Sequence, residues 1–155
     1  MADFARRAAL VLVATLLVAA SADPVPTPPT SFHTVLDDKQ LMNYVLDPAA
    51  DVIWGAAGTI STLEGEQSLA PTTQEEWDAV RNAAAVVMES ANLLSLPARA
   101  RDRPDWIGIA GRLVDVGNRI RLAAEAKDET AVFNEGGELY VVCTSCHERY
   151  MTTTE

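Results

Sequence analysis

Apolar residues recur at alternating spacings of three and four along three long stretches of the sequence. These seam positions are Trp77, Val80, Ala84, Val87, Ala91 and Leu94, then Trp106, Ile109, Leu113, Val116, Ile120 and Ala123, then Phe133, Gly136, Tyr140, Cys143, His147 and Tyr150. The alternation is typical of an amphipathic α-helix that packs nearly parallel to its neighbours. No stretch of comparable length alternates with period two, so we expect no sheet. The pattern predicts an all-α chain.

Helix start signals agree with these seams. Thr73 is followed three residues later by Glu76, which is the pattern of a capping box. Pro104 lies in the first turn of the next helix, where its missing N–H is tolerated. Asp128 or Thr130 can cap the last helix. The three stretches therefore begin and end as separate helices.

A fourth helix before these three is less regular. Its seam positions are Val35, Met42, Val45, Ala49, Val52 and Ala56. Pro48 falls in the middle of this seam and either kinks the helix or leaves Asp47 to cap a new one. We expect one kinked helix from about Val35 to Ala57, followed by a connection from Gly58 to Thr72. The four helices together predict an antiparallel four-helix bundle with up-down-up-down topology.

The N-terminus has the layout of a secretory signal peptide. Arg6 and Arg7 are basic, the following stretch is apolar, and Ala20-Ser21-Ala22 offers the small residues that a signal peptidase reads. The apolar stretch is shorter than the ~20 residues that a membrane-spanning helix needs, and an uncleaved anchor is the alternative. We predict export to the periplasm, with a signal peptide over residues 1–22, a proline-rich leader over 23–33 and a four-helix domain over 34–155.

The charge of the chain restricts its partners. The formal net charge is −10 at pH 7. A surface this acidic repels nucleic acid and anionic membranes and favours basic partners, although it also serves solubility alone. We therefore expect no nucleic-acid binding and no stable membrane insertion after the signal is cleaved.

Both cysteines of the chain lie in the stretch CTSCHER, at residues 143–149. In a helix, Cys143, Cys146 and His147 project from one face within about one turn. Two thiols at this spacing can add to the two vinyl groups of a haem, and the adjacent imidazole is then held under the iron. C-x-x-C-H is the attachment pattern of haem c, so we predict a covalently bound haem here.

Other uses of this cysteine pair are less consistent with the sequence. A disulfide between residues three apart closes a very short loop and stabilises little. A zinc site needs about four ligands, and the only other histidine is His33 in the leader. A thioredoxin-like C-x-x-C expects a sheet and a motif at the start of a helix. A chance match of the pattern is the remaining alternative.

Gly136 and Gly137 precede the cysteines in the same predicted helix. Glycine inside a helix costs ~1 kcal/mol relative to alanine. Two in a row indicate that something flat or close lies against that face, with tight helix–helix packing as the alternative.

Four helices with the haem motif on the last one resemble the class II c-type cytochromes, the cytochrome c′ and cytochrome c-556 family. The resemblance is carried by the stretch from Cys143 to Tyr150, close to the family pattern C-x-x-C-H-x-x-[YF], and more weakly by Gln40-Leu41-Met42-Asn43. The chain departs from the family at Met151, where members often have arginine, and at Pro48. The resemblance implies a single haem c, and it leaves both a monomer and a homodimer through the first two helices open.

The sixth iron position decides the chemistry that this resemblance implies. Methionine there makes the iron low-spin and raises its potential, as in an electron carrier, whereas an open apolar site binds carbon monoxide or nitric oxide, as in cytochrome c′. Met42 is the candidate, because the low-spin branch of the family has its ligand in the same early part of the first helix. Ordinary core packing is the alternative for Met42, with Leu41 or Val45 walling an empty site. The other methionines are less suitable as the sixth ligand. Met88 lies one position off the seam of its helix, and Met151 follows the haem motif too closely to reach the opposite face of the haem.

These observations predict a periplasmic mono-haem c-type cytochrome that transfers single electrons to a redox partner protein. Its haem-binding residues are Cys143 and Cys146, and its iron ligands are His147 and Met42. No general base, nucleophile or substrate pocket can be argued, so we do not expect an enzyme. The alternatives are a five-coordinate gas-binding protein and a haem-free helical interaction module. Arg81, Arg119 and Arg121 are possible partners of the haem propionates, but we expect each of them to lie on a solvated face. The tryptophans expected in the core are Trp54, Trp77 and Trp106.

Overall fold

The computed structural model describes residues 32–151, apart from the side chain of Arg103. The predicted signal peptide and nearly all of the predicted leader lie outside the described residues, and both remain predictions. Within residues 32–151 the chain is mostly helical, so the all-α prediction is confirmed. Of the helices in this part of the chain, none combines the length and hydrophobicity that a membrane crossing requires.

The described residues form a first helix, a small hairpin and three long helices. The first helix consists of α1 (Asp38–Leu41), a π-helical turn (Met42–Leu46) and α2 (Asp47–Gly55) in direct succession. The hairpin strands are β1 (Thr59–Thr62) and β2 (Gly65–Ser68), and the long helices are α3 (Gln74–Leu94), α4 (Arg103–Ala126) and α5 (Glu129–Tyr150).

Side-chain caps fix where the long helices begin. The Thr73 hydroxyl accepts a hydrogen bond from the Glu76 N–H, and the Glu76 carboxylate accepts one from the Thr73 N–H at 2.9 Å. This confirms the predicted capping box of α3. The Asp128 carboxylate accepts from the Ala131 N–H at 2.9 Å, so Asp128, of the two candidates, caps α5.

The first helix begins later than predicted. Asp37 is its N-cap, because its carboxylate accepts from the Gln40 N–H at 2.7 Å while the Gln40 side chain accepts from the Asp37 N–H. The predicted start at Val35 is therefore wrong, and Val35 is 88% exposed. A second capping box, which the seam analysis did not use, ends the extended chain at this point.

A π-helical turn carries the first helix through its proline. The Asp47 N–H donates to the Met42 carbonyl, five residues back. Pro48 has no N–H to donate, and the wider turn before it accommodates this loss without a break. The predicted single helix is confirmed, and Asp47 does not cap a new one. After the turn Ala49 is buried as predicted, but one turn further on Ile53 is fully buried where Val52 was predicted.

The core confirms two of the predicted seams. Every seam position of α3 and α4 is buried. α3 packs against α4, α4 against α5, and α2 against α3. At the α3–α4 contact a Cβ on Gly117 would lie 2.7 Å from the Met88 side chain, so this close approach requires glycine.

The seam predicted for α5 is displaced by one residue. The buried positions of this helix are Val132, Gly136, Leu139 and Val142. Phe133 and Tyr140, which were predicted to be buried, are 57% and 60% exposed. Both stripes are apolar, so periodicity alone could not separate them. Packing against α4 selects the aliphatic stripe and leaves the aromatic one beside the first helix.

The prediction that the chain has no sheet is wrong at one place. Strands β1 and β2 pair antiparallel within the connection from Gly58 to Thr72, with Thr59 opposite Ser68 and Thr62 opposite Gly65. Every residue of both strands is exposed. A hairpin with two solvated faces has no hydrophobic alternation, which is the signal that identifies a half-buried strand.

Substitution of adjacent residues tests the register of the first helix. We expect Ile53→Ala to lower the free energy of unfolding by about 2–5 kcal/mol, because it removes a fully buried side chain. Val52→Ala, the matched control at a position that is 42% exposed, should change it by less than about 0.5 kcal/mol. Urea unfolding followed by circular dichroism measures both, and a larger loss in the Val52 variant would contradict the observed register.

Candidate cofactor site

A cavity of about 660 Å³ lies between the first helix and the three long helices. Most of its wall is apolar, and the residues that form it include Leu46, Val87, Trp106, Leu113, Leu139 and Val142. Its volume falls within the ~300–1,000 Å³ typical of cofactor and ligand sites. The cavity is therefore large enough, and apolar enough, to hold a flat organic cofactor.

The four residues predicted to form the site all border this cavity. Cys143, Cys146 and His147 lie on the last two turns of α5, and Met42 comes from the first helix. Leu41 and Val45, the alternatives for the wall of an open site, are not among the residues that line the cavity. The structure thus brings two thiols, an imidazole and a thioether to one apolar space.

The π-helical turn determines which face of the first helix meets the cavity. Met42, Leu46, Ala50 and Trp54 recur every four residues and all line it. In a regular α-helix with 3.6 residues per turn, a four-residue spacing drifts around the axis. The i to i−5 bonding of the π turn widens the helix locally and offsets part of this drift. Met42 therefore lies in line with the cavity residues that follow it.

Burial raises the pKa of both thiols above its ordinary value. Both cysteines are free and half-buried. Desolvation, followed by the nearby Cys146 and Asp47, raises the pKa of the Cys143 thiol to about 11. Desolvation also raises the pKa of Cys146, but Arg112 and Arg101 oppose that rise. Cys146 is consequently the thiol with the more favourable electrostatic surroundings for a thiolate.

An indole lies against the first glycine of the Gly136–Gly137 pair. The Trp54 Nε1 donates to the Gly136 carbonyl at 2.9 Å, and a Cβ on Gly136 would lie 3.6 Å from the Trp54 ring. The flat group that lies beside Gly136 is thus a side chain of the same chain, at a distance that a Cβ would also allow. Gly137 is exposed and has no such neighbour. Trp54 is a half-buried wall of the cavity, whereas Trp77 and Trp106 are buried as predicted.

The cations at the cavity are not the three arginines that were considered for the propionates, which lie on solvated faces as expected. The candidates Arg81, Arg119 and Arg121 pair with Asp78, Glu135 and Glu125, respectively, and none of the three lines the cavity. The lining cations are Lys39, at the start of the first helix, and Arg101, in the connection between α3 and α4. Neither position belongs to a hydrophobic seam, so the sequence analysis had no signal for them.

No family model matches the chain, and the comparisons with curated proteins and with solved structures give no match either. Within residues 32–151, no group of three or more His, Cys, Asp and Glu side chains is arranged to hold a metal ion by itself. Any functional assignment therefore depends on the chemistry of the cavity.

The raised pKa of Cys143 predicts slow alkylation of the folded, haem-free protein. At pH 8, a pKa near 11 instead of 9.0 leaves on the order of 100-fold less thiolate. We expect iodoacetamide to modify Cys143 correspondingly more slowly in the folded protein than in urea, and more slowly than Cys146. Peptide mass spectrometry measures both rates. Equal rates for Cys143 in the folded and unfolded protein would contradict the burial of its thiol.

Proposed function

We propose that this chain is an exported mono-haem c-type cytochrome that transfers single electrons. Cys143 and Cys146 would hold the haem covalently, and His147 and Met42 would ligate its iron. The observation that carries this proposal is the meeting of all four residues at one apolar cavity. Haem attachment would also explain why both cysteines of the chain lie within one turn of α5.

The residues at the cavity fit this cofactor. Each free thiol would add its S–H across one vinyl group, which forms one C–S bond, moves the proton to carbon and consumes no oxidant. The imidazole of His147 follows Cys146 directly and is exposed at the rim of the cavity. Lys39 and Arg101 line the same cavity and would supply positive charge for the two propionates, with Arg101 exchanging its pairing to Asp38 at 3.5 Å.

The chain would tune the cofactor through its surroundings. When bound, haem supplies an iron centre that gains or loses one electron. The neutral thioether of Met42 would favour the reduced state and raise the potential. The apolar wall, including Leu113 and Leu139, would lower the polarity around the site.

The proposal includes the finer architecture. Two residues, Lys127 and Asp128, separate α4 from α5, and residues 95–102 separate α3 from α4. Long helices that pack side by side across such short connections run in opposite directions. These connections support an antiparallel up-down-up-down bundle like that of the class II c-type cytochromes, with the hairpin inserted before α3.

The proposed partner is a redox protein in the periplasm. A net charge of −10 favours docking to a basic surface through long-range attraction. Export rests on the predicted signal peptide at residues 1–22. The proposal includes no substrate, and it is compatible with either a monomer or a homodimer.

Removal of the Met42 thioether tests the electron-carrier proposal. We expect the ferric haem-loaded protein to show the weak far-red charge-transfer band of methionine-ligated haem, and Met42→Ala to abolish it because the sulfur ligand is lost. Met151→Ala is the matched control, since Met151 also borders the cavity, and it should keep the band. High-spin iron in the unsubstituted protein, with immediate uptake of carbon monoxide, would contradict the carrier and favour the gas-binding alternative.

A further inference from the structure

A polar network joins the last turn of α5 to the residues that begin α4. The Asp102 carboxylate accepts a hydrogen bond from the Tyr150 hydroxyl and another from Arg149 Nη2, the second at 3.0 Å. Arg149 also pairs with Asp105 in the first turn of α4. Tyr150 and Arg149 both donate to Asp102, so this one carboxylate links two consecutive residues of α5 to the start of α4.

Aromatic packing extends this network to the cavity wall. The Tyr150 ring packs edge-on against Trp106, with ring centroids 4.8 Å apart. The Trp106 Nε1 donates to the Leu94 carbonyl, at the end of α3, at 2.7 Å. Both rings border the cavity. The end of α3, the start of α4 and the end of α5 are thus tied together at one end of the site.

The proposed axial ligand lies within the segment that this network holds. His147 is three residues before Tyr150 in α5, and its carbonyl accepts the Met151 N–H at 2.9 Å. The His147 ring is exposed. Neighbouring side chains do not enclose it, so its direction depends on the backbone of the last turn.

We propose that Asp102 is a positioning residue, which holds Tyr150 and Arg149 and thereby fixes the turn of α5 that carries Cys146 and His147. Asp102 would thereby set the direction in which His147 presents its imidazole to a bound haem. This consequence for ligation rests on the proposed function, whereas the fixing of the turn does not.

The charges of the network support this role. The hydrogen bond from Tyr150, followed by the interaction with Arg149, lowers the pKa of the Asp102 carboxyl. The carboxylate is therefore ionised at neutral pH and accepts from both partners. Each of these contacts is partly exposed and contributes little by itself. Because they share one acceptor, their loss in a single substitution is coupled.

Three variants distinguish a role of Asp102 in fixing the last turn of α5 from the effect of removing a surface charge. Asp102→Asn keeps the shape of the side chain but removes its charge and one acceptor oxygen. Tyr150→Phe removes only the hydroxyl, and it serves as a second test if the first variant folds poorly. Asp105→Asn is the matched control. It removes the charge of the second carboxylate that pairs with Arg149, and it leaves the hydrogen bond from Tyr150 to Asp102 in place.

Hydrogen exchange and electron paramagnetic resonance of the haem-loaded proteins give the two readouts. We expect the amides of residues 146–150 to exchange at least about threefold faster in Asp102→Asn and Tyr150→Phe than in the control. We also expect the ferric g-values, which report the orientation of the axial ligands, to shift in those two variants and not in Asp105→Asn.

Other results would overturn the proposal. Unchanged exchange in Asp102→Asn would show that the residue does not hold the turn. Faster exchange with unchanged g-values would reduce Asp102 to a structural contact, and equal effects in the control would assign the result to charge alone. A lack of covalent haem in the unsubstituted protein would instead contradict the proposed function, and hydrogen exchange would still decide whether Asp102 fixes the turn.

Discussion

Burial of the aliphatic stripe of α5 against α4 is the interaction on which the site depends. Val132, Leu139 and Val142 face the core, and this sets the rotation of the whole helix. With α5 in that rotation, Cys143 and Cys146 fall at the edge of the core and border the cavity. Cys146 follows Val142 by four residues and so continues this stripe, whereas a rotation towards the predicted seam of Phe133 and Tyr140 would turn Cys146 away from the core. The hydrophobic effect that stabilises the fold thus also presents the two thiols to the cavity.

The first helix meets α5 across the cavity, and its irregularity suits that position. In an uninterrupted α-helix the successive four-residue steps from Met42 to Trp54 would drift around the axis, whereas the π turn before Pro48 offsets part of this drift. Between the two helices, Trp54 donates directly to the Gly136 carbonyl. Trp54 and the Trp106–Tyr150 pair therefore both form part of the cavity wall. Such a space between packed helices is where bundle proteins place their cofactors.

Most of the correct sequence predictions came from helix caps and from the periodic spacing of apolar residues. The seams of α3 and α4 and the capping box at Thr73 follow from residues close in the chain, and they are confirmed. The rotation of α5 depends on which of two apolar stripes meets α4, and the alignment of Met42 with the cavity residues that follow it depends in part on a π turn. Neither has a periodic signature. Lys39 and Arg101 reach the cavity from the ends of elements, which only the tertiary structure reveals. The motif at Cys143, Cys146 and His147 predicted a cofactor, and the structure adds the cavity that these residues and Met42 share.

The central claim is that Cys143 and Cys146 carry a covalently bound haem. Intact-mass spectrometry and a pyridine haemochrome assay, on protein exported from cells that possess haem-attachment machinery, test it most directly. The account predicts one haem per chain that survives acid extraction, a mass increased by that of one haem, and no thiol available to alkylation. A colourless protein with the mass of the polypeptide alone and two free thiols would contradict it.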